Sequence, residues 1–353
     1  MLSRRRLLLS GAGLAAASVL ARRGRPAFAQ GRPFTFVSWG GALSDAEKNA
    51  FMDPFAEKTG KEIVNTSPTA YAKLKAMVQS GYVEWDLVTV GGRFVFEGAE
   101  QDLLEPLDYA KIPNADRLPD GFKAEHGLVT STGATVIAWN TNAFPADSGP
   151  RSWADFWDTE RFPGPRGLYK PFYYNYEAAL LAAGVGRDEV YPVTEEKIDL
   201  AFEKLEEIKP HVSVWWSSGA QPPQLLASGQ LAMSSAWSGR MIAIEAERAP
   251  TAFTYEDGLA WGNWFVIPKG TPYREMAMEV TNYALSLEAQ ERLLDLVTYG
   301  PAVPDATEKA SPEQRRQLVM APQNIENMLI LQEQQAALYS TKYEERWNQF
   351  QLG

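Results

Sequence analysis

The chain has 353 residues, a formal net charge of −10 and 45% hydrophobic residues, with two histidines and no cysteine. So acidic a chain is a poor partner for nucleic acid or for an anionic membrane surface. The scarcity of histidine and cysteine argues against a zinc site, a disulfide or an iron–sulfur cluster, and we expect no cofactor and no metal.

Residues 1–29 have the three parts of an export signal. Arg4–Arg6 precede a mostly apolar run from Leu7 to Leu20, and Ala27–Ala29 forms a small-residue cleavage site. The paired arginines before the leucines predict twin-arginine export to the periplasm, with the mature chain beginning near Gln30. Loss of the six leader arginines takes the net charge from −10 to about −16. The alternative is a short membrane anchor, but the Gly- and Ala-rich run argues against it.

Short apolar runs then alternate with helical segments, which is typical of an α/β fold. The predicted elements of the first part are, in chain order, a strand at Phe34–Val37, a glycine turn at 38–41, a helix beginning at Ser44, a strand at Glu62–Val64, a helix at Tyr71–Ser80 that stops at Gly81, and a strand at Asp86–Val90 that ends in Gly91 and Gly92. Ser44 as N-cap, with Glu47 three residues later, predicts a capping box.

The later elements predict a second lobe between two hinge strands, at Ala134–Asn140 and Trp264–Pro268. Between them we predict, in chain order, a strand at Gly167–Tyr169, helices at Tyr176–Ala183 and Asp199–Ile208, and a strand at Leu231–Met233. Lobe 1 is then residues 30–138 plus about 261–308, and lobe 2 is residues 139–260 plus about 309–353. The helical stretch from Asn327 to Phe350 is expected to pack back on a lobe.

Three features that follow one another along the chain resemble one family. They are Trp39 after the first strand, the run Trp85–Val88 before a glycine turn, and the aromatic-rich run Ser152–Trp157. From about Phe34 to Val303, the chain resembles the spermidine/putrescine-type periplasmic solute-binding proteins of ABC importers. The resemblance implies a two-lobed α/β periplasmic binding protein of type II, with crossover hinge strands, an inter-lobe ligand cleft and closure on binding.

The resemblance also implies which residues face the cleft. Trp39 matches an aromatic that packs on the ligand, Trp237 matches one that stacks on its aliphatic chain, and Trp261 matches a further tryptophan. The other expected ligand-facing positions are Gly91, Gly92 and Phe94 in the second glycine turn, together with Tyr174 and Asn263. For each tryptophan the alternative is ordinary packing in the core.

The acids of polyamine-binding members are missing from this chain. Asn263 stands where those members have an aspartate that holds an ammonium, and Pro171 and Tyr174 fall near two further acidic positions. An unpaired ammonium costs several kcal/mol to remove from water, so a cleft with few acids should bind a polyamine poorly. Glu177, in the following helix, is a candidate for partial compensation, and Asn263 either replaces the ammonium clamp or reads a hydroxyl.

Arg240 points to a different ligand. It follows Trp237 by three residues where a strand enters a helix, so both side chains can point into one cleft. A guanidinium binds carboxylate, sulfonate or phosphonate in a bidentate fork. Members of the wider family that bind amino-acid-like ligands are similar in having an arginine at this kind of position. The alternative for Arg240 is a surface salt bridge.

The segment Phe172–Tyr176 has four aromatics in five positions. If two of them face the cleft with Trp237 and Trp261, they form an aromatic cage for an alkylated ammonium. The alternative is that they pack beneath the surface between the lobes.

We therefore predict the periplasmic substrate-binding component of an ABC importer, which captures a small amine-containing solute. An amino-acid-like or betaine-like zwitterion is favoured, with polyamine binding as the alternative and iron or thiamine binding as a distant one. The expected partners are the small-molecule ligand and an ABC permease in the inner membrane, and we expect a monomer. An enzyme is disfavoured because the chain lacks a dinucleotide-binding glycine motif, a nucleophile elbow and clustered histidines.

Overall fold

The computed structural model describes residues 32–296 and 299–353, so the export signal predicted at residues 1–29 lies outside the described residues. Eleven strands of this part form one sheet, and helices pack on it. None of the described helices is long and apolar enough to cross a membrane.

The strands and helices have the following bounds. The strands are β1 (Phe34–Val37), β2 (Ile63–Thr66), β3 (Leu87–Gly91), β4 (Lys123–Ala124), β5 (Gly127–Asn140), β6 (Arg166–Tyr169), β7 (Val212–Trp216), β8 (Met233–Trp237), β9 (Thr251–Val266), β10 (Gly300–Pro301) and β11 (Leu329–Ile330). The helices are α1 (Gly41–Glu47), α2 (Asp53–Thr59), α3 (Tyr71–Ser80), α4 (Gly92–Glu100), α5 (Trp153–Trp157), α6 (Asn175–Ala182), α7 (Glu195–Ile208), α8 (Gln221–Ala227), α9 (Ser238–Ala246), α10 (Arg274–Ala284), α11 (Leu287–Leu296), α12 (Pro312–Gln317), α13 (Pro322–Ile325), α14 (Glu333–Lys342) and α15 (Glu344–Leu352).

The sheet mixes parallel and antiparallel pairs in the order β2–β1–β3–β9–β5–β8–β6–β7. At one end β1 runs parallel to β2 and β3, and at the other end β6 runs parallel to β7 and β8. The long strands β5 and β9 lie between these groups and pair antiparallel from Leu128 opposite Phe265 to Asn140 opposite Thr251. Both are longer than the predicted hinge strands, and they join the two halves of the sheet.

Two clusters of buried hydrophobic side chains lie along the sheet. The first contains Phe36, Val88 and Phe265, and the second contains Trp153 and Tyr176. The strands β5 and β9 contribute buried side chains to both clusters, because they cross from one to the other. Helices α14 and α15, in the predicted C-terminal tail, pack on the second cluster through side chains that include Tyr339 and Trp347.

The capping box predicted at Ser44 is wrong. Helix α1 begins three residues earlier at Gly41, because Gly40 and Gly41 adopt positive φ angles of 91° and 64° that let the chain turn sharply after β1. The Ser44 hydroxyl accepts from the Gly40 amide at 2.6 Å. Glu47 points into the core instead, where it accepts hydrogen bonds from Ser38 at 2.5 Å and from Thr89 at 3.2 Å.

Other boundaries also differ from the predictions. The helix at Tyr71–Ser80 and its stop at Gly81 are confirmed. The strand predicted at Leu231–Met233 is β8, which begins only at Met233 and extends to Trp237. The helix predicted to begin at Ser44 is interrupted by a π-helical turn at Lys48–Met52, which is followed by Pro54 in the first turn of α2.

Glu47 gives a prediction for the pH dependence of folding stability. Burial raises the pKa of this carboxyl from 4.5 to about 8, against the lowering effect of its hydrogen bonds to Ser38 and Thr89. The folded protein therefore keeps the proton to a higher pH than the unfolded chain, so this stabilisation is complete below about pH 4.5 and is lost as the pH rises towards 8. Glu47→Gln should flatten the fall of the unfolding free energy in that window by up to about 1.4 kcal/mol per pH unit.

Urea denaturation of the wild type and of Glu47→Gln at pH 5, 6.5 and 8 measures this slope. Glu57→Gln, which changes an exposed carboxyl of α2, is the matched control and should keep the wild-type slope. Equal slopes in the wild type and Glu47→Gln would contradict the assignment.

Candidate functional site

A cavity of about 580 Å³ lies where the turn after β1, the first turn of α4, the β8–α9 junction and the middle of β9 meet. All nine residues predicted as ligand-facing line it, namely Trp39, Gly91, Gly92, Phe94, Tyr174, Trp237, Arg240, Trp261 and Asn263. Residues separated by more than two hundred positions in the sequence are thus brought to one place. That they contact a ligand stays a prediction.

Aromatic rings form much of the cavity wall. Trp237 packs edge-on against Trp261 with ring centroids 6.4 Å apart, and Tyr169 packs against Trp237 at 6.0 Å. Trp39 is 37% exposed, which is unusual for so large an apolar side chain. Trp237 also has an indole nitrogen that is buried and has no hydrogen-bond partner in the described part of the chain. The wall therefore presents aromatic rings to the cavity, and the indole nitrogen of Trp237 is a hydrogen-bond donor without a described partner.

The aromatic segment before α6 divides between the cavity and the core. Tyr173 and Tyr174 line the cavity with their rings 3.9 Å apart, and Tyr174 has a positive φ of 73°, which is rare for a residue other than glycine. Phe172 and Tyr176 instead pack on Tyr339 in the second hydrophobic cluster, at 5.5 Å and 4.6 Å. Two of the four rings therefore reach the cavity and two pack in the core, and the aromatic cage for an ammonium stays a prediction.

Asn263 is engaged with the protein on both sides of its amide. Its carbonyl oxygen accepts from the Trp39 indole at 3.2 Å, and its amide nitrogen donates to the Ser131 hydroxyl at 3.1 Å. Only 5% of the residue is exposed. Neither of the two predicted roles, ammonium clamp or hydroxyl reader, is evident in these contacts. What they do show is that Asn263 holds the Trp39 ring in place.

Gly92 is required by a close approach across the cavity. A Cβ at this position would lie 2.4 Å from the Cδ atom of Glu333 and 2.6 Å from the indole nitrogen of Trp264. Any other residue here would force the first turn of α4 away from the start of α14. Gly92, which was predicted to face the ligand, therefore also allows the Glu333 carboxyl to lie against this turn.

Two guanidinium groups give the cavity its positive charge. Arg93 lies in the first turn of α4, where its side chain is 3.4 Å from Glu97, one turn further along. Arg240 is exposed in the first turn of α9, and no described residue forms a salt bridge with it. The predicted alternative, a surface salt bridge of Arg240, is therefore not seen in the part of the chain that the structure describes.

Glu333, the first residue of α14, is the one carboxyl among the described residues that line the cavity, and the sequence analysis missed it. Its Oε2 atom accepts a hydrogen bond from the Tyr173 hydroxyl. Its Oε1 atom is buried and has no hydrogen-bond partner in the described residues. Burial raises the pKa of Glu333 to about 8, and nearby Glu177 raises it further while Arg93 lowers it.

Glu177, the predicted compensating acid, does not line the cavity. It is buried in α6, where it accepts hydrogen bonds from the hydroxyls of Tyr191 at 2.7 Å and Tyr339 at 2.9 Å. The helical period turns this position away from the cavity and towards α14. The hypothesis that Glu177 contacts the ligand is therefore wrong in this structure.

A metal centre has no counterpart in the described residues, where no three His, Asp or Glu side chains form a group that could hold an ion. Two of the five tyrosines that line the cavity, Tyr173 and Tyr174, have pKa values well above their ordinary range because they are buried.

Comparison with known proteins agrees with the fold. The bacterial extracellular solute-binding protein family matches residues 50–319. A gamma-aminobutyric acid-binding protein of Pseudomonas aeruginosa is 33% identical over 91% of both chains. A spermidine/putrescine-binding periplasmic protein of Haemophilus influenzae is 28% identical over 75% of both.

Among solved structures, an ABC transporter substrate-binding protein from Bradyrhizobium japonicum has 38% sequence identity and a TM-score of 0.84. The match covers 90% of this chain and 99% of the other. The two-lobed α/β fold, the periplasmic location and the role in ABC transport expected from the sequence are confirmed by these relatives. The chain belongs to the bacterial extracellular solute-binding protein family, whose members bind a small molecule and deliver it to a membrane permease.

Proposed function

We propose that this substrate-binding protein captures a small zwitterion with a carboxylate at one end and an ammonium at the other, as in an ω-amino acid. The observation that carries the proposal is the guanidinium of Arg240, which reaches the cavity and has no carboxylate partner among the described residues. The gamma-aminobutyric acid-binding relative has 33% identity to this chain, which supports the same ligand class.

Arg240 is placed to bind the carboxylate of the ligand. Its planar fork matches the two oxygens of a carboxylate, and such charge-assisted pairs are among the stronger hydrogen bonds. It lies in the first turn of α9, a nine-residue helix without a side-chain cap at its N-terminus. The backbone amides of that turn and the helix dipole favour a negative group at the same place.

The aromatic wall suits the ammonium end and the methylene chain. The rings of Trp237 and Trp261 lie at 73° to one another, so a thin chain can contact the face of one ring and the edge of the other. A cation over the face of a tryptophan or tyrosine gains roughly 0.5–2 kcal/mol, more when water is excluded. Closure of the two lobes over a bound ligand would exclude that water.

Polyamine binding is the second candidate, because a spermidine/putrescine-binding relative matches three quarters of the chain. The charges of the cavity oppose it. A diamine would bring two ammonium groups to a cavity that has two guanidinium groups and one carboxyl. Like charges close together in a poorly hydrated site are costly, so a molecule with one negative end fits better.

We also propose the remaining predicted features. The arginine pair before the apolar leader supports twin-arginine export. A monomer is proposed from the resemblance to periplasmic receptors. The predicted lobe boundaries, 30–138 plus about 261–308 and 139–260 plus about 309–353, stay a proposal, and the first cluster of buried side chains also contains Leu226, Met241 and Tyr255 from the segment assigned to lobe 2.

A matched pair of ligands tests the proposed ligand class. 4-Aminobutyrate and putrescine both have four-carbon chains with an amine, and they differ in having a carboxylate or a second ammonium at the other end. We expect 4-aminobutyrate at 100 times its Kd to stabilise the protein by about 2.7 kcal/mol in thermal unfolding, and putrescine to have little effect. Stabilisation by putrescine but not by 4-aminobutyrate would show that the protein binds polyamines.

Substitution of Arg240 tests its role. Arg240→Ala should weaken 4-aminobutyrate binding by roughly tenfold to a hundredfold, because a charge-assisted hydrogen bond contributes about 1.5–3 kcal/mol. Calorimetric titration measures the affinity. Arg316→Ala, at an exposed arginine outside the cavity, is the control and should bind as the wild type does. Unchanged affinity of Arg240→Ala would remove this residue from the site.

A further inference from the structure

Glu333 is a buried carboxyl that lacks a complete set of hydrogen-bond partners. It is 5% exposed, one of its oxygens accepts from Tyr173, and the other has no partner in the described residues. A buried, unsatisfied oxygen of this kind costs free energy that folding alone does not recover. Because Glu333 lines the cavity, a ligand can supply the missing partner.

The surroundings of Glu333 select the neutral acid in the absence of ligand. The charged and titratable groups that face it are Arg93 from α4, Tyr173 and Tyr174 from the segment before α6, Glu177 from α6, and Tyr191 from the connection to α7. The hydrogen bond from Tyr173 and the charge of Arg93 favour the ionised form, and the Arg93 guanidinium is also paired with Glu97. Burial outweighs both, so the carboxyl holds its proton near neutral pH.

An ammonium in the cavity reverses this balance. A second cation beside the carboxyl lowers its pKa, because an opposite charge within about 4–6 Å favours the charged form. The ionised carboxylate then offers the ammonium a charge-assisted acceptor at the free Oε1 atom. The proton of Glu333 leaves for the solvent, and no covalent bond is made or broken.

We infer that Glu333 is the ammonium-binding residue of the cavity and that ligand capture expels its proton, so that binding of the zwitterion is coupled to the release of one proton. The inference rests on the proposed function, since it requires a ligand with an ammonium group. It adds a specificity-determining residue from the C-terminal helix α14. Glu333 binds the ammonium of the ligand, whereas Arg240 binds its carboxylate. It also makes the affinity depend on pH although the ligand itself keeps the same charge near neutral pH.

Proton counting during binding tests the inference directly. The mature protein and 4-aminobutyrate are brought to the same pH in unbuffered potassium chloride, mixed at saturating ligand, and returned to the starting pH with base. With a carboxyl pKa of about 8, we expect about 0.9 proton per bound ligand at pH 7 and about 0.1 at pH 9. The Kd measured by calorimetry should fall about tenfold between pH 6 and pH 7.

Two isosteric variants separate Glu333 from other sources of protons. Glu333→Gln should release no proton, should have a Kd that does not change with pH, and should bind at least about tenfold more weakly than the wild type at pH 9. Glu47→Gln removes a second buried carboxyl whose pKa is also raised to about 8 but which lies outside the cavity, and it should release protons as the wild type does. Thermal unfolding without ligand checks that both variants are folded.

The outcomes distinguish the inference from the proposed function. Binding of 4-aminobutyrate without proton release, or equal release by Glu333→Gln, would overturn the inference and leave the proposed function in place. If Glu333→Gln releases the proton, a group other than Glu333 is its source. The absence of binding by the wild type at any pH would overturn the proposed function and the inference with it.

Discussion

The antiparallel pairing of β5 with β9 is the constraint on which the cavity depends. The two strands pair through eleven registered residues, and β5 is buried along its whole length. Side chains two residues apart on a strand share a face, so Trp261 and Asn263 point to the same side of β9. Gly133 lies opposite Trp261 on β5, where a Cβ would come within 2.3 Å of the indole ring. The ring lies against β5 because this position has no side chain, and hydrogen bonds to Thr135 and Ser131 hold Trp261 and Asn263 in place.

This arrangement explains how much of the site could be predicted from the sequence. Trp39 and Gly92 follow the carboxyl ends of β1 and β3, and Trp237 is the last residue of β8. Ligands of open α/β sheets bind outside the carboxyl ends of strands, so local pattern and family resemblance were enough to find these residues. Tyr174 and Arg240 followed from the same reasoning. The α/β fold was predictable because its strands and helices are strongly periodic.

The wrong or missed predictions have a common physical cause, because each concerns a contact between residues that are distant in the sequence. Ser44 and Glu47 have the spacing of a capping box. The sequence does not show that Ser38 and Thr89 lie in the core, where they donate hydrogen bonds to the Glu47 carboxyl. Glu333 stands at the start of a C-terminal helix that looks like an ordinary amphipathic tail. Its approach to Gly92 spans more than two hundred residues, and no local signal indicates it.

The charge of the cavity is set by a few positions on an otherwise shared fold. A neutral Asn263 in place of an aspartate removes a fixed negative charge, and its amide is committed to Trp39 and Ser131. Arg93 and Arg240 supply fixed positive charge, whereas the charge of Glu333 depends on what occupies the cavity. A ligand with only a carboxylate leaves Glu333 neutral and gains nothing from it, while a diamine gains one carboxylate and meets two guanidinium groups. Only a zwitterion pairs its carboxylate with a guanidinium and its ammonium with Glu333. Because Glu333 ionises when an ammonium binds, the cavity favours a zwitterion over a ligand that carries only a negative or only a positive charge.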